Sequence, residues 1–333
     1  MKYIPYILLP LLILLNLFWG STDLAAVEIW QALCGNAPAN SAAQYIVCEL
    51  RVPMIITALL TGGALGIVGL LMQTLFNNPL ADPSILGVNA GASLGVGVAT
   101  LCLGGVGIGS AWSASGFSIT IAAAFVGALI VIALLLGCAL LLRSNMMLLV
   151  AGVMISYTIG AVVTLLSYFA SADGLRQYVS WGMGDFTSVS TDALPWFAIL
   201  ILIGLGLSFL FIKPLNALLL GEQYAQNLGF RIHRLRWGIL LLVGLLTAVC
   251  TALCGPIGFI GLAVPHIARL TLRTANHRTL IPTTILWGAS AALLCNALTL
   301  VAGGGVRLPI NAITPLLGVP VAIYILINKQ TSK

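Results

Sequence analysis

The sequence predicts an all-α fold, a polytopic bundle of about ten membrane-spanning helices. Three observations predict it. The 333 residues are 60% hydrophobic and 7% charged, with a mean hydropathy of +1.11, whereas a soluble domain carries about 25% charged residues. The apolar residues fall in long continuous runs rather than in alternation of period two, which favours helices over a closed barrel in lipid. The basic residues fall mostly on alternate connections between those runs, as the spans below show.

A hydrocarbon layer of about 30 Å needs roughly 20 apolar residues per helix. The first span is read at Ile4 to Trp19; it follows Lys2 like a secretory leader, but no small-x-small cleavage site comes after it. Further spans are expected at 52–75, 86–104, 117–142, 146–169, 193–212, 237–254, 257–270, 281–302 and 309–328. With the N-terminus inside, Lys2, Arg143, Lys213, Arg231, Arg234, Arg236, Arg269, Arg273, Arg278, Lys329 and Lys333 lie on cytoplasmic segments, and only Arg51, Arg176 and Arg307 lie outside. Eleven basic residues inside against three outside is a positive-inside pattern. It accounts for the net charge of +6 without nucleic acid.

Small residues recur at helical spacing in the second and third spans, at Gly62, Gly66 and Gly69 and at Gly87, Gly91 and Gly95. Such ridges admit close helix packing, with gating as the alternative. Five of the seven cysteines lie in apolar segments; Cys250 and Cys254 are one helical turn apart and read as packing. Cys34 and Cys48 share one outer loop, either as a disulfide or as two free thiols.

Absences narrow the function. The four lysines stand at 2, 213, 329 and 333 and none follows a glycine, so a phosphate-cradling G-x-x-x-x-G-K-[ST] loop is excluded. No H-E-x-x-H occurs, and His233, His266 and His277 lack acidic neighbours. The eight acidic residues fall at loops or span ends, whereas an ion-coupled transporter usually places a carboxylate at membrane depth. Uphill transport would therefore draw its energy from another chain.

Three stretches carry the informative pattern. In Asn77 to Gly95, Pro79 and Pro83 fix a stiff elbow between the second and third spans. Asn77, Asn78 and Asp82 can satisfy its freed backbone groups, and Gly87 lets the next helix pack closely. In Lys213 to Arg236, Pro214 ends a span and Glu222 suits the positive end of a short helix. Ala225 and Leu228 give that helix an apolar face, and Gly229 stops it. It either lies on lipid headgroups or docks in a partner's groove. In Cys254 to Leu270, Gly255, Gly258 and Gly261 allow a tight re-entry, Pro265 kinks the segment and Arg269 anchors its inner end. His266 reads as a hydrogen-bonded structural residue, with a ligand role as the alternative.

These stretches resemble the FecCD-type permeases, the membrane subunits of ABC importers for ferric siderophores, haem and cobalamin. The resemblance rests on NPLADPSILGVNAGA (Asn78 to Ala92), GEQYAQNLG (Gly221 to Gly229), GPIGFIGLAVPHIAR (Gly255 to Arg269) and LPINAITPLLGVPVAIYIL (Leu308 to Leu326), and runs from about Gln44 to Asn328. It implies one transmembrane permease domain over 1–333, with ten spans, working as a dimer with a second copy of itself by alternating access. The partners it implies are two cytoplasmic ABC ATPase subunits, an extracytoplasmic substrate-binding protein and membrane lipid. No cofactor is expected in this chain; ATP and magnesium would sit on the partner ATPase.

By position, Gly221, Glu222, Ala225, Leu228 and Gly229 would couple to the ATPase within a segment of about 213–236. Asn78, Pro79, Asp82, Pro83, Gly87, Pro265, His266 and Arg269 would carry the motion to the gate. Arg51 and Arg307 would dock the binding protein, or else snorkel to the interface. The chain departs from the family pattern in having Met54 where a second arginine is usual, Asn296 where an acid is frequent, Leu300 near a usual arginine, and Arg307 at an acid's position. Among cargoes, ferric siderophore comes first on the breadth of the family, with haem and cobalamin beside it. The rival readings are an ATPase-independent secondary transporter or channel, and an intramembrane enzyme, for which no acid pair or Ser/His set is placed.

Overall fold

The computed structural model describes residues 3–35, 41–102, 114–142, 144–301 and 307–331. Lys2, Arg143 and Lys333 of the charge pattern lie outside the described residues. Thirteen helices follow in order among those described. They are α1 (Ile4–Phe18), α2 (Ala26–Leu33), α3 (Ala42–Leu75), α4 (Val88–Cys102), α5 (Ala114–Leu141), α6 (Asn145–Phe169), α7 (Ala172–Gly182), α8 (Leu194–Leu218), α9 (Glu222–Asn227), α10 (Ile232–Cys254), α11 (Ile260–Leu272), α12 (His277–Leu298) and α13 (Ile310–Thr331). Six of them, α3, α5, α6, α8, α10 and α12, are long and apolar enough to cross a membrane. Shorter apolar helices in α1, α4, α11 and α13 bring the candidate crossings to the ten that the sequence predicts. The inner end is defined below as the one holding the α3–α4 elbow, the end that the positive-inside pattern leads one to expect at the cytoplasm.

The bundle is built around α3, with 83% of its spanning window buried against 17% for α6. The small residues of α3 explain its centrality. A Cβ on Gly62 would lie 2.2 Å from the Gly288 carbonyl oxygen of α12, and one on Gly69 would lie 1.8 Å from that of Gly261 on α11. Both neighbours therefore run backbone against backbone with α3. Lipid provides no hydrophobic drive between helices, so close van der Waals approach is what holds them. In the same way Gly91 and Gly95 of α4 face Gly127 and Ala123 of α5. The glycine ridges are packing surfaces.

Polar contacts add specificity at depth. Asn16 of α1, 1% exposed, donates to the carbonyls of Leu12 (2.8 Å) and Leu293 (3.1 Å), and its own oxygen accepts from Asn296 of α12 at 2.7 Å. Cys250 and Cys254 are buried in α10, and Cys34 and Cys48 are free thiols.

One boundary differs in a way that matters. The second span is expected to begin at 52, with Arg51 outside it; instead α3 starts at Ala42, carries a π-helical stretch over Tyr45–Arg51, and buries Arg51 to 3% exposure. A cation inside an apolar helix is costly, but this one has a built seat. Its guanidinium donates to the carbonyls of Leu17 (2.6 Å), in the last turn of α1, and Thr22 (2.6 Å), just past its end. Gly20 leaves the room, since a Cβ there would sit 2.4 Å from Nη2.

Candidate functional site

The elbow begins as a helix C-cap. At the end of α3, Asn77 takes a left-handed conformation (φ 45°) and the amides of Asn77 and Asn78 donate to the carbonyls of Thr74 and Gln73. This is a Schellman ending with asparagine in place of the usual glycine. Asn78 Oδ1 then accepts from the Leu80 amide at 3.0 Å. Asp82 caps the following 3₁₀ turn, Pro83–Leu86, accepting from the Ser84 amide (3.0 Å) and hydroxyl (2.6 Å). Pro83 is the first residue of that turn, and Gly87 closes it at φ 81°.

Burial pushes the Asp82 carboxyl above its ordinary range, while the two Ser84 donors pull it back down. Its second oxygen, Oδ2, is buried with no hydrogen-bond partner among the described residues, close to Gly261.

The elbow is locked onto α11. His266 Nε2 donates to the Pro79 carbonyl at 2.8 Å, and Arg269 Nη1 donates to Gln73 Oε1 at 2.6 Å. The Gln73 amide donates in turn to the Leu262 carbonyl at 3.1 Å. Pro265 is buried within α11 one residue before His266. Asn78, Pro79, Asp82, Pro83, Pro265, His266 and Arg269 thus form one contiguous inner body. Among the described residues no group of three His, Cys, Asp or Glu side chains could hold a metal ion.

The short helix α9 stands between α8 and α10. Glu222 is its first residue, after Gly221 at φ 107°. It ends in a second Schellman motif, in which the Gly229 amide donates to the Gln226 carbonyl (2.8 Å) and the Phe230 amide to that of Ala225 (3.1 Å). Gly229 sits at φ 87°. Gly229→Ala is expected to destabilise this segment by about 1 kcal/mol, because only glycine holds the left-handed position without strain; faster amide exchange over 222–230, with the rest of the bundle unchanged, is the measurement.

The apolar face expected from Ala225 and Leu228 is not one face. Ala225 is fully buried beneath the helix, whereas Leu228 and Tyr224 are exposed at 56% and 49%. The helix ends at Asn227, so Leu228 leaves the helical register and points outward.

Four polar residues that spacing alone passed over join these parts. Asn145, the first residue of α6, donates its amide to Glu222 Oε1 (2.6 Å) and to the Leu75 carbonyl of α3 (3.0 Å). Both partners are acceptors, which fixes which end of the amide is nitrogen. Thr74 contacts His277 Nε2 at 3.0 Å, and His277 Nδ1 lies 2.8 Å from Asn216 Oδ1 on α8. The available signal was a polar amide or imidazole at the end of an otherwise apolar run.

At the outer end, Arg307 Nη1 lies 3.0 Å from Met54 Sδ, and Asn296 Nδ2 lies 3.5 Å from the same sulfur. Three positions at which the chain departs from the family pattern therefore meet in space. Arg307 borders a part-polar, part-apolar cavity of about 220 Å³ with Ser180, Asp185, Asn296, Thr299 and Ile310. Nearby in sequence, Asn311 donates to the carbonyls of Gly182 (2.9 Å) and Pro256 (2.5 Å). Arg307 is placed at an accessible mouth. Arg51 is not, its guanidinium being spent on the end of α1.

Comparison with known proteins agrees with this architecture. The FecCD transport family model matches residues 8–328. The vitamin B12 import system permease BtuC of Klebsiella pneumoniae is 36% identical over 319 residues, covering 94% of this chain and 93% of that protein. Its counterpart from Vibrio cholerae is 36% identical over 308 residues, covering 92% and 89%. Among solved structures, an inward-facing conformation of a transporter assigned to the metal-chelate ABC type superposes with a TM-score of 0.82 at 30% identity, covering 98% of each chain.

Proposed function

Because this chain belongs to the FecCD transport family, we propose that it is the membrane-spanning permease of an ATP-driven importer for cobalamin or an iron complex, moving its cargo by alternating access. Residues 1–333 act as one transmembrane domain in the inner membrane, with both termini cytoplasmic. Two cytoplasmic ATPase subunits supply the energy and an extracytoplasmic binding protein delivers the cargo; ATP and magnesium belong to the ATPase.

The observation that carries this reading is α9. It is a six-residue helix, capped at its C-terminal end by a Schellman motif, exposing Tyr224 and Leu228 while its base is tied through Glu222 to α6 and α10. A projection that rigid, on a bundle without a nucleotide-binding motif of its own, suits a part that is pushed by another chain. The Asn78–Pro83 elbow, locked to His266 and Arg269, suits the next part of the train. Docking of the binding protein is assigned to the outer mouth around Arg307, with Arg51 serving to hold α1.

A second copy is placed against α6. Most of that helix is exposed, including Thr158 and Thr164, whose hydroxyls return to carbonyls four residues back. A spanning helix with so little cover inside its own protomer suits a path between two protomers.

Reconstitution of the chain with its ATPase partners in proteoliposomes tests the reading. Uptake of cobalamin or of a ferric hydroxamate is expected to require ATP inside the ATPase-facing compartment and to stop with vanadate. Uptake that survives removal of the ATPase but collapses with the proton gradient would establish the secondary-transporter reading instead.

A further inference from the structure

We infer that the inner end of α3 is the point where motion of the coupling helix enters the bundle, and that Asn145 is the positioning residue that passes it on. This rests on the reading of α9 as the coupling helix.

Three consecutive residues at the end of α3 each bind a different neighbour. Gln73 accepts from Arg269 and donates to the Leu262 carbonyl, both on α11. Thr74 contacts His277 at the start of α12, which continues to Asn216 on α8. The Leu75 carbonyl accepts from Asn145 at the start of α6. The elbow follows immediately, its Asn77 and Asn78 amides bound to the carbonyls of Thr74 and Gln73.

Only one of these side chains also reaches α9. The Asn145 amide is shared between α3 (Leu75 carbonyl, 3.0 Å) and α9 (Glu222 Oε1, 2.6 Å), while its own backbone begins α6. Glu222 Oε1 lies in addition 3.8 Å from Arg236 Nη2 on α10, and Arg236 Nη1 donates to the Leu142 carbonyl just past α5. A displacement of α9 therefore acts through Glu222 on the start of α6 and the end of α3 at once. Because α3 is the most enclosed span and is pressed backbone to backbone against α11 and α12, it moves only with them. The span least enclosed by its own protomer, α6, is not part of that packed block and can respond differently, against the path proposed to lie between protomers. One amide thus separates a moving helix from a central strut, and hydrogen-bonded elements with two discrete arrangements are what carry coupling over distance.

The test is amide hydrogen exchange on the assembled permease–ATPase complex, with and without ATP and vanadate, read over 222–230 (α9) and over 165–182 (the outer end of α6 with α7). In the natural sequence both regions are expected to change with nucleotide. In Asn145→Leu the α9 response is expected to remain and the outer response to fall about tenfold, the weight of one hydrogen bond to a charged group. An Asn145→Leu variant in which both responses survive overturns the inference.

Should Asn145→Leu fail to assemble, the exchanged pair decides. Asn145→Asp sets two carboxylates together and is expected to lose the outer response. Adding Glu222→Gln restores the bond to α9 with donor and acceptor reversed but leaves the Leu75 carbonyl without its donor, so the outer response is expected to stay lost; its full return overturns the inference. If 222–230 does not respond to nucleotide even in the natural sequence, the coupling-helix reading itself falls, a result distinct from the loss of the outer response alone.

Discussion

Gly288→Val is expected to abolish the folded bundle: little monodisperse protein after detergent extraction, and a thermal midpoint far below that of the natural chain in what remains. The geometry leaves no compromise. A Cβ at 288 would lie 2.1 Å from the Gly62 carbonyl oxygen and 2.8 Å from its carbon. Those are backbone atoms, so no rotamer change relieves the clash and α12 must move off α3. Overpacking in a core that can adjust costs about 1–3 kcal/mol; here the adjustment separates the two helices with the longest shared interface in the bundle and breaks the Asn16–Asn296 bond beside it. The loss is expected above that range. Gly137→Ala in α5 is the control, since a Cβ there meets nothing within 4 Å. It is expected to be neutral or to gain up to about 1 kcal/mol from the better helix former. Equal stability of Gly288→Val and the natural chain would mean that α3 and α12 are not packed as described.

The same residues show what could be read in advance. Apolar run length gave most crossings to within about five residues, the start of α3 and the end of α8 excepted, because in lipid the span is set by the thickness of the solvent layer and not by tertiary context. Gly229 was legible as a helix stop because a positive φ has few other hosts, whereas Gly87, expected only to allow close packing, also closes the 3₁₀ turn at φ 81°. Arg51 was misplaced for a physical reason: a cation normally marks the end of a span, and nothing local reveals the carbonyls of Leu17 and Thr22 that accept it from another helix. Leu228 was assigned to a face by spacing that stops applying one residue past the end of α9.

The inner network was the least legible part. Gln73, Thr74, Asn145 and Asn216 are single polar residues at the edges of apolar runs, and each acquires its meaning from a partner 61 to 203 positions away in sequence. Long-range pairing of that kind leaves no periodic trace. Motif resemblance found the elbow and α9 as separate stretches; it had no means of showing that Asn145 joins them.

Glu222→Arg is the substitution expected to damage transport most. Glu222 is about half exposed and stands at the first position of α9, so its replacement leaves no cavity. Three contributions change sign together. The Asn145 amide loses its acceptor on α9, the Glu222–Arg236 pair becomes two cations about 4 Å apart, and a positive charge replaces a negative one at a helix N-terminus. The last effect is worth about 0.3–1 kcal/mol at an exposed site; Arg236 is only 4% exposed, so a like charge beside it costs more than at a surface pair, and overall stability is expected to fall by about 2–4 kcal/mol. Coupling is where the loss concentrates, because the helix that receives the push is then no longer tied to α6 or to the end of α3. In proteoliposomes the expected result is continued ATP hydrolysis by the assembled complex with cargo moved per ATP reduced at least about tenfold, equivalent to some 1.4 kcal/mol of lost linkage. Disassembly of the complex would place Glu222 in the contact with the ATPase itself. An unchanged ratio of transport to hydrolysis would remove α9 from the path of force, and the proposed mechanism with it.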